Sequence, residues 1–313
     1  MSNKRDAVLG VLDATARPTY VPAGFFIHFD KSCHRGQAAI DKHLEFFHHT
    51  DMDFVKIQYE NTFPRRDDIQ TPTDWAKMPV YGMDFHEDQL GIIAGLVEAT
   101  GKEALVLATI YTPFMCAGHT VGGPELDEHI RENPEAVNRG MDAITDSLIG
   151  FVKASIAAGV DGFMAPTQGR ESHRATDATL FDTCIRPYDL ALMEEMRDCE
   201  FNILHICDFH GGYDDLSPFV DYPGDVVNCS PEVHGGALNA TEVSELFSRP
   251  YMGGVDRKGV IATGTESEIE RMVETLVAQA PPRFILGADC TLPGDIDWTN
   301  IRKAIDVAHG VKG

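Results

Sequence analysis

"NILHICDFHGGYDDL", residues 202–216, opens with Ile203, Leu204 and Ile206 and then changes character. The opening is a short β-prone run without clean alternation, as expected of a parallel strand covered on both faces. Cys207, Asp208 and the pair Gly211–Gly212 follow, which is loop composition. His205 and Cys207 stand two residues apart, so on a strand they share one face. The fold depends on whether this strand has companions.

It has several. Comparable runs are "AGFFIHF" (23–29), "FVKIQY" (54–59), "ALVLATI" (104–110), "VDGFMAP" (160–166), "VVNC" (226–229), "YMGGV" (251–255) and "FILGADC" (284–290). Amphipathic stretches lie between them. "GQAAIDKHLEFFHHT" (36–50) places Ile40, Leu44 and Phe47 on one face. "PEAVNRGMDAITDSLIGFVKASIAAG" (134–159) opens on Pro134 and closes on Gly159, and "TESEIERMVETLVAQA" (265–280) begins with Thr265 and Glu268 in capping-box spacing. Eight strands alternating with helices predict an α/β protein, a (β/α)8 TIM barrel. No G-x-G-x-x-G follows the first strand, which counts against a doubly wound dinucleotide fold. Residues 1–20 are expected to be an N-terminal extension, and 21–313 a single barrel domain.

The chain of 313 residues carries 49 acidic and 26 basic side chains, a net charge of −23. That charge disfavours nucleic acid and anionic membrane as partners. No apolar run is long enough to span a bilayer, and "MSNKRDAVLG" lacks a signal-peptide core, so a cytoplasmic protein is expected. Seven scattered cysteines do not form a disulfide framework.

In a barrel of this type chemistry gathers at the C-terminal strand ends. There stand His28, Glu60, Tyr111, Gln168, His205, Cys207, Cys229, Asp256 and Cys290. One imidazole with up to three thiols at His205, Cys207, Cys229 and Cys290 suits Zn²⁺, which takes N and S donors in tetrahedral geometry. The alternative is that the cysteines are small buried hydrophobes and His205 a core histidine. His28 and Glu60, ending the first two strands, are candidate catalytic residues for proton relay or substrate contact.

"RPYDLALMEEMRDCEFNILHICD" (186–208), "PEAVNRGMDAITDSLIGFVKASIAAGVDGFM" (134–164) and "GTESEIERMVETLVAQAPPRFILGADCTLP" (264–293) resemble the uroporphyrinogen decarboxylase (URO-D) superfamily. The similarity runs over roughly residues 20–310 and implies a (β/α)8 barrel like that of the methionine synthases. True decarboxylases carry an arginine-rich R-Q-A-G-R motif that grips substrate carboxylates. Here "RPTYVPAGFFIHFDKSCHRG" (17–36) offers Arg17 and Arg35 without the motif, and Glu60 stands where the decarboxylases place an aspartate.

Methylcobamide:coenzyme M-type methyltransferases, the corrinoid branch, hold zinc through H-x-C on one strand and a cysteine on the last. His205, Cys207 and Cys290 match that pattern. Cobalamin-independent methionine synthases add an acidic fourth ligand between these, and by spacing Cys229 falls there. The resemblance thus implies a zinc-dependent methyltransferase that moves a methyl group between a corrinoid and a small thiol. "DFHGGY" (208–213) puts Tyr213 where a cobalamin-binding D-x-H-x-x-G motif needs glycine, so the corrinoid is expected on a separate partner protein. Two alternatives stay open: a metal-free decarboxylase or lyase acting on a small acid or tetrapyrrole, and a non-catalytic zinc-binding barrel.

Overall fold

The structure is a computed structural model describing residues 3–15, 20–174 and 178–310. Seven strands, β1 (Phe54–Ile57), β2 (Leu105–Thr109), β3 (Gly162–Thr167), β4 (Ile203–Ile206), β5 (Val226–Cys229), β8 (Tyr251–Val255) and β9 (Phe284–Ala288), form one sheet. A small antiparallel hairpin, β6 (Glu232–Val233) with β7 (Gly236–Ala237), decorates the loop after β5. The sheet follows sequence order, and each neighbouring pair is parallel. Parallel neighbours require crossovers, and the long helices between strands supply them.

The expected eighth strand is absent. Segment 23–29 touches the β9 side only through isolated bridges, Ala23 to Leu286 and Ile27 to Leu292. Toward β1, Asp53 N–H donates to Ala23 O at 2.9 Å, but no ladder forms. Side chains replace it. The Asp53 carboxylate accepts from Ala23 N at 2.7 Å, and the Gln58 amide donates to Ile27 O. Because the segment's backbone groups find these partners, it needs no strand pairing there. The close approach also needs a missing side chain: a Cβ on Gly24 would lie 2.2 Å from the Phe54 ring. The sheet therefore curls into a distorted barrel that stays open at this seam, not the closed (β/α)8 barrel predicted.

Alternation sorts the side chains. Phe54, Leu105, Leu107, Met164, Ile203, Val226, Met252 and Ile285 form an inner cluster, while their strand neighbours pack outward against the helices. Many of these inner residues begin their strands, so the apolar plug lies at the N-terminal end and leaves the opposite mouth for polar groups. Val8 and Val11 complete the plug. They lie on and just after a helix, Lys4–Gly10, that packs at this end of the sheet.

The helices Gly36–Thr50, Pro134–Ala157 and Glu266–Gln279 run close to the predicted ranges, and Met83–Thr100 and Trp298–Gly310 are two further long helices. The Thr265–Glu268 capping box is formed. Helix 36–50 is turned slightly from expectation: Ala39, His43, Phe46, Phe47 and Thr50 are buried, with Ile40 and Leu44 only half-buried. On helix 266–279, Ile269 and Val273 are fully buried, each worth about 1.5–3 kcal/mol of transfer free energy. Among the described residues no helix is long and apolar enough to cross a membrane.

Candidate metal centre

Inner parity carries from Ile203 to His205 on β4, and on to Cys207 just beyond its end. Cys207 N–H donates to Thr167 O at 3.0 Å, and Tyr213 Oη donates to Cys207 O at 2.9 Å. The backbone around this thiol is thus fixed from two sides. Across the mouth, β9 ends at Ala288 and the chain bends at Asp289 and Cys290. The bend carries the Cys290 Sγ to 3.4 Å from His205 Nε2.

The donor atoms of His205, Cys207 and Cys290 all lie within 4.8 Å of one another, and all three side chains are buried. Tetrahedral zinc, with bonds of about 2.3 Å to sulfur and 2.0 Å to nitrogen, would put an N and an S ligand about 3.5 Å apart. The N···S separation fits. His205 Nδ1 is buried with no hydrogen-bond partner, and the Gln168 amide donates to Cys207 Sγ at 3.5 Å. The thiols are unequal. Cys207 donates to Cys290, which pushes the Cys207 thiol up; that same bond, then the charge of His205, pulls Cys290 down. Cys290 is the readier thiolate, and a soft divalent cation is the group that two such sulfurs and an imidazole fit.

Cys229 does not join them. In the β4–β5 register His205 faces Asn228, and Cys229 faces Ile206, which points outward. Cys229 is fully buried among the apolar residues between sheet and helices, where burial holds its thiol protonated. The fourth-ligand expectation fails on parity: a strand end at the mouth is insufficient if the side chain faces the other way. Asn228 takes the inner place, and its amide bridges Met252 O and Ala288 O at 2.9 Å each.

The two candidate catalytic residues come together. His28 Nδ1 is 2.8 Å from Glu60 Oε1, and His34 Nδ1 lies 3.8 Å from the other oxygen. Burial alone would raise the Glu60 carboxyl, but the His28 bond and charge hold it below its ordinary value. His28 lines the cavity over the triad and is half exposed. Tyr111, Gln168 and His210 line it as well. Asp256 instead caps its own loop by accepting from Lys258 N at 2.8 Å. Arg35 is exposed, and Arg17 lies outside the described residues.

Sequence reasoning passed over Lys56. It points inward from the centre of β1, buried, with its ammonium donating to Gln58 and lying 4.4 Å over the Phe26 ring. Burial lowers its pKa to about 7. The signal was present in "FVKIQY": a lysine in an apolar run, with the parity of Phe54 and Gln58. The cavity that Lys56 shares with the triad has a volume of about 280 Å³. A second hollow of about 320 Å³ between Met193, Tyr222 and Arg249 is lined by neither histidine nor cysteine, so the chemistry belongs to the first.

A curled parallel sheet that gathers an imidazole and two thiols at its C-terminal mouth defines an enzyme-like α/β fold with a metal-binding site. The chain belongs to the uroporphyrinogen decarboxylase (URO-D) family, whose profile matches residues 52–311. Among solved structures it is similar to a methyltransferase from Methanosarcina mazei, at 13% identity and a TM-score of 0.81 over 99% of both chains. It is also similar to a B12-independent methionine synthase from Shewanella sp. W3-18-1 in complex with selenomethionine, at 12% identity and a TM-score of 0.55 over 94% of both chains. At such identities these likenesses show the fold alone. No curated protein matches the sequence.

Proposed function

We propose that this protein is a zinc-dependent methyltransferase that moves a methyl group between a corrinoid, carried by a separate protein, and a small thiol. The observation carrying the reading is the buried His205–Cys207–Cys290 triad opening onto a cavity of about 280 Å³. Three protein ligands with an open side are the pattern of a catalytic site, whereas structural zinc sites close with four. Likeness in fold to a methyltransferase and to a methionine synthase supports the choice of chemistry.

His205, Cys207 and Cys290 would hold the ion. Bound there, zinc supplies a way to keep a substrate thiol deprotonated at neutral pH, where a free thiol of pKa about 8.5 is mostly protonated. The balance is R–SH plus methyl-corrinoid giving R–S–CH₃, reduced corrinoid and a proton. The S–C bond forms as the Co–C bond breaks, and the bonding pair stays on cobalt. The His28–Glu60 pair at the rim can accept the thiol proton at the imidazole and pass it to solvent. Phe26 and Met164, lining the cavity floor, keep water from the sulfur.

A decarboxylase of a polycarboxylate is less well supported, since Lys56 is the only lysine or arginine among the described residues lining the cavity. Metal analysis of the purified protein tests the reading. About one zinc per chain is expected, reduced at least tenfold in occupancy at limiting metal by Cys290→Ser. With methylcobalamin and a thiol, the zinc form should yield the cob(I)alamin spectrum. Zinc content indifferent to Cys290→Ser would remove the basis of the proposal.

A further inference from the structure

We propose that Arg257 is a positioning residue for the metal centre, tying together the two loops that carry Cys207 and Cys290; this rests on the metal-site reading above. Arg257 lies two residues beyond the end of β8, a strand next to β9 and separated from β4 by β5. Its Nη1 donates to both oxygens of Asp208, at 2.8 and 3.1 Å, and to Asp289 Oδ2 at 2.6 Å. Its backbone N–H donates to the other oxygen of Asp289 at 2.8 Å. Asp208 directly follows Cys207, and Asp289 directly precedes Cys290.

Each loop is also anchored to its own neighbours. Cys207 N–H reaches Thr167, Asp289 N–H reaches Val255 O at 2.9 Å, and Leu292 N–H reaches Phe26 O at 3.0 Å. These bonds fix each thiol along its own strand but not against the other. Arg257 spans from one loop to the other. All three charged side chains are only 13–14% exposed, so this is not a solvent-screened surface pair. Without the guanidinium, two carboxylates would face each other beside two thiols and repel, spreading the sulfurs beyond the reach of one ion. Arg257 does not line the cavity, so it acts through the ligands.

The test compares zinc affinity, by competition with a chromophoric chelator, in the wild type, Arg257→Gln, Arg257→Lys and Arg186→Gln. Arg186, which pairs with Asp221 through Nη1 and Nη2 elsewhere on the surface, is the control for loss of an arginine–aspartate pair. Arg257→Gln is expected to weaken zinc binding by about 10–100-fold, the usual effect of removing a group that orients ligands. The thiolate-to-metal absorption of the Co²⁺-substituted protein should fall with it, while apo-protein unfolding stays near that of Arg186→Gln. Arg257→Lys should recover only part, since its ammonium ends one bond short of the position that Nη1 holds between the two carboxylates. Asp208→Asn with Asp289→Asn removes the same tie with the arginine in place and should weaken zinc similarly, which covers the case of a poorly folding Arg257→Gln. Wild-type zinc affinity in both the Gln variant and the double Asn variant overturns the inference while leaving the metal site standing. A wild type that binds no zinc overturns both.

Discussion

At the scale of single residues, two cysteines at the C-terminal side of the same sheet have opposite duties. Cys290 meets His205 Nε2 at 3.4 Å, while Cys229 is sealed between sheet and helices. Cys229→Ser is therefore expected to leave zinc stoichiometry unchanged and to cost about 1–3 kcal/mol of stability, because it places a hydroxyl in an apolar site. Equal metal loss in Cys229→Ser and Cys290→Ser would contradict the assignment. Lys56 gives a pH-dependent prediction. Its folded pKa, lowered to about 7 from 10.5, means that the unfolded chain binds more protons between those values. Stability from this group thus rises as pH increases from about 7 to 10.5, and below about 7 the full penalty of burying the charge is present. Lys56→Met should be the more stable protein at pH 6, by up to several kcal/mol, with the advantage gone near pH 10.5. Chemical denaturation of both metal-free proteins across that range checks the sign.

At the scale of elements, the seam between segment 23–29 and β1 is where side chains do what a ladder does elsewhere. Asp53, fully buried at the head of β1, accepts from Ala23 N at 2.7 Å, Tyr20 Oη at 2.9 Å and His309 Nε2 at 2.9 Å. One carboxylate thus joins the first segment, β1 and the C-terminal helix. Asp53→Ala strands the buried Ala23 N–H, at about 1–3 kcal/mol, and two part-buried donors that cost less, so a loss of about 3 kcal/mol is expected. Amide exchange should accelerate at Ala23 first. Uniform acceleration across all seven strands would show that the seam is not a separate unit.

At the scale of the whole molecule, the sheet is plugged at one end by apolar residues and open to chemistry at the other. Val8, wholly buried in the plug, makes the N-terminal helix part of the core. Val8→Asp buries an unpaired charge there and is expected to cost more than about 3 kcal/mol, read as a lowered denaturation midpoint. An unchanged midpoint would make that helix an ornament. Seven of the eight expected strands, the long helices and the Thr265 capping box were legible in the chain, because period and capping are local properties of a few adjacent residues. So was the His205–Cys207 pairing, since both lie on the face that a period of two assigns. What the sequence could not decide was direction beyond a strand's end. By alternation Cys290 belongs on the outer face with Leu286 and Ala288, and only the bend at 289–290 turns it inward. Closure of the sheet was equally out of reach: it depended on Asp53 and Gln58 satisfying a backbone some 30 residues away. The sequence by itself determined seven of the strands, the long helices and which residues could bind a metal. Tertiary structure decided which of them face one another, because side-chain direction past a strand depends on backbone turns and on partners that arrive from distant parts of the chain.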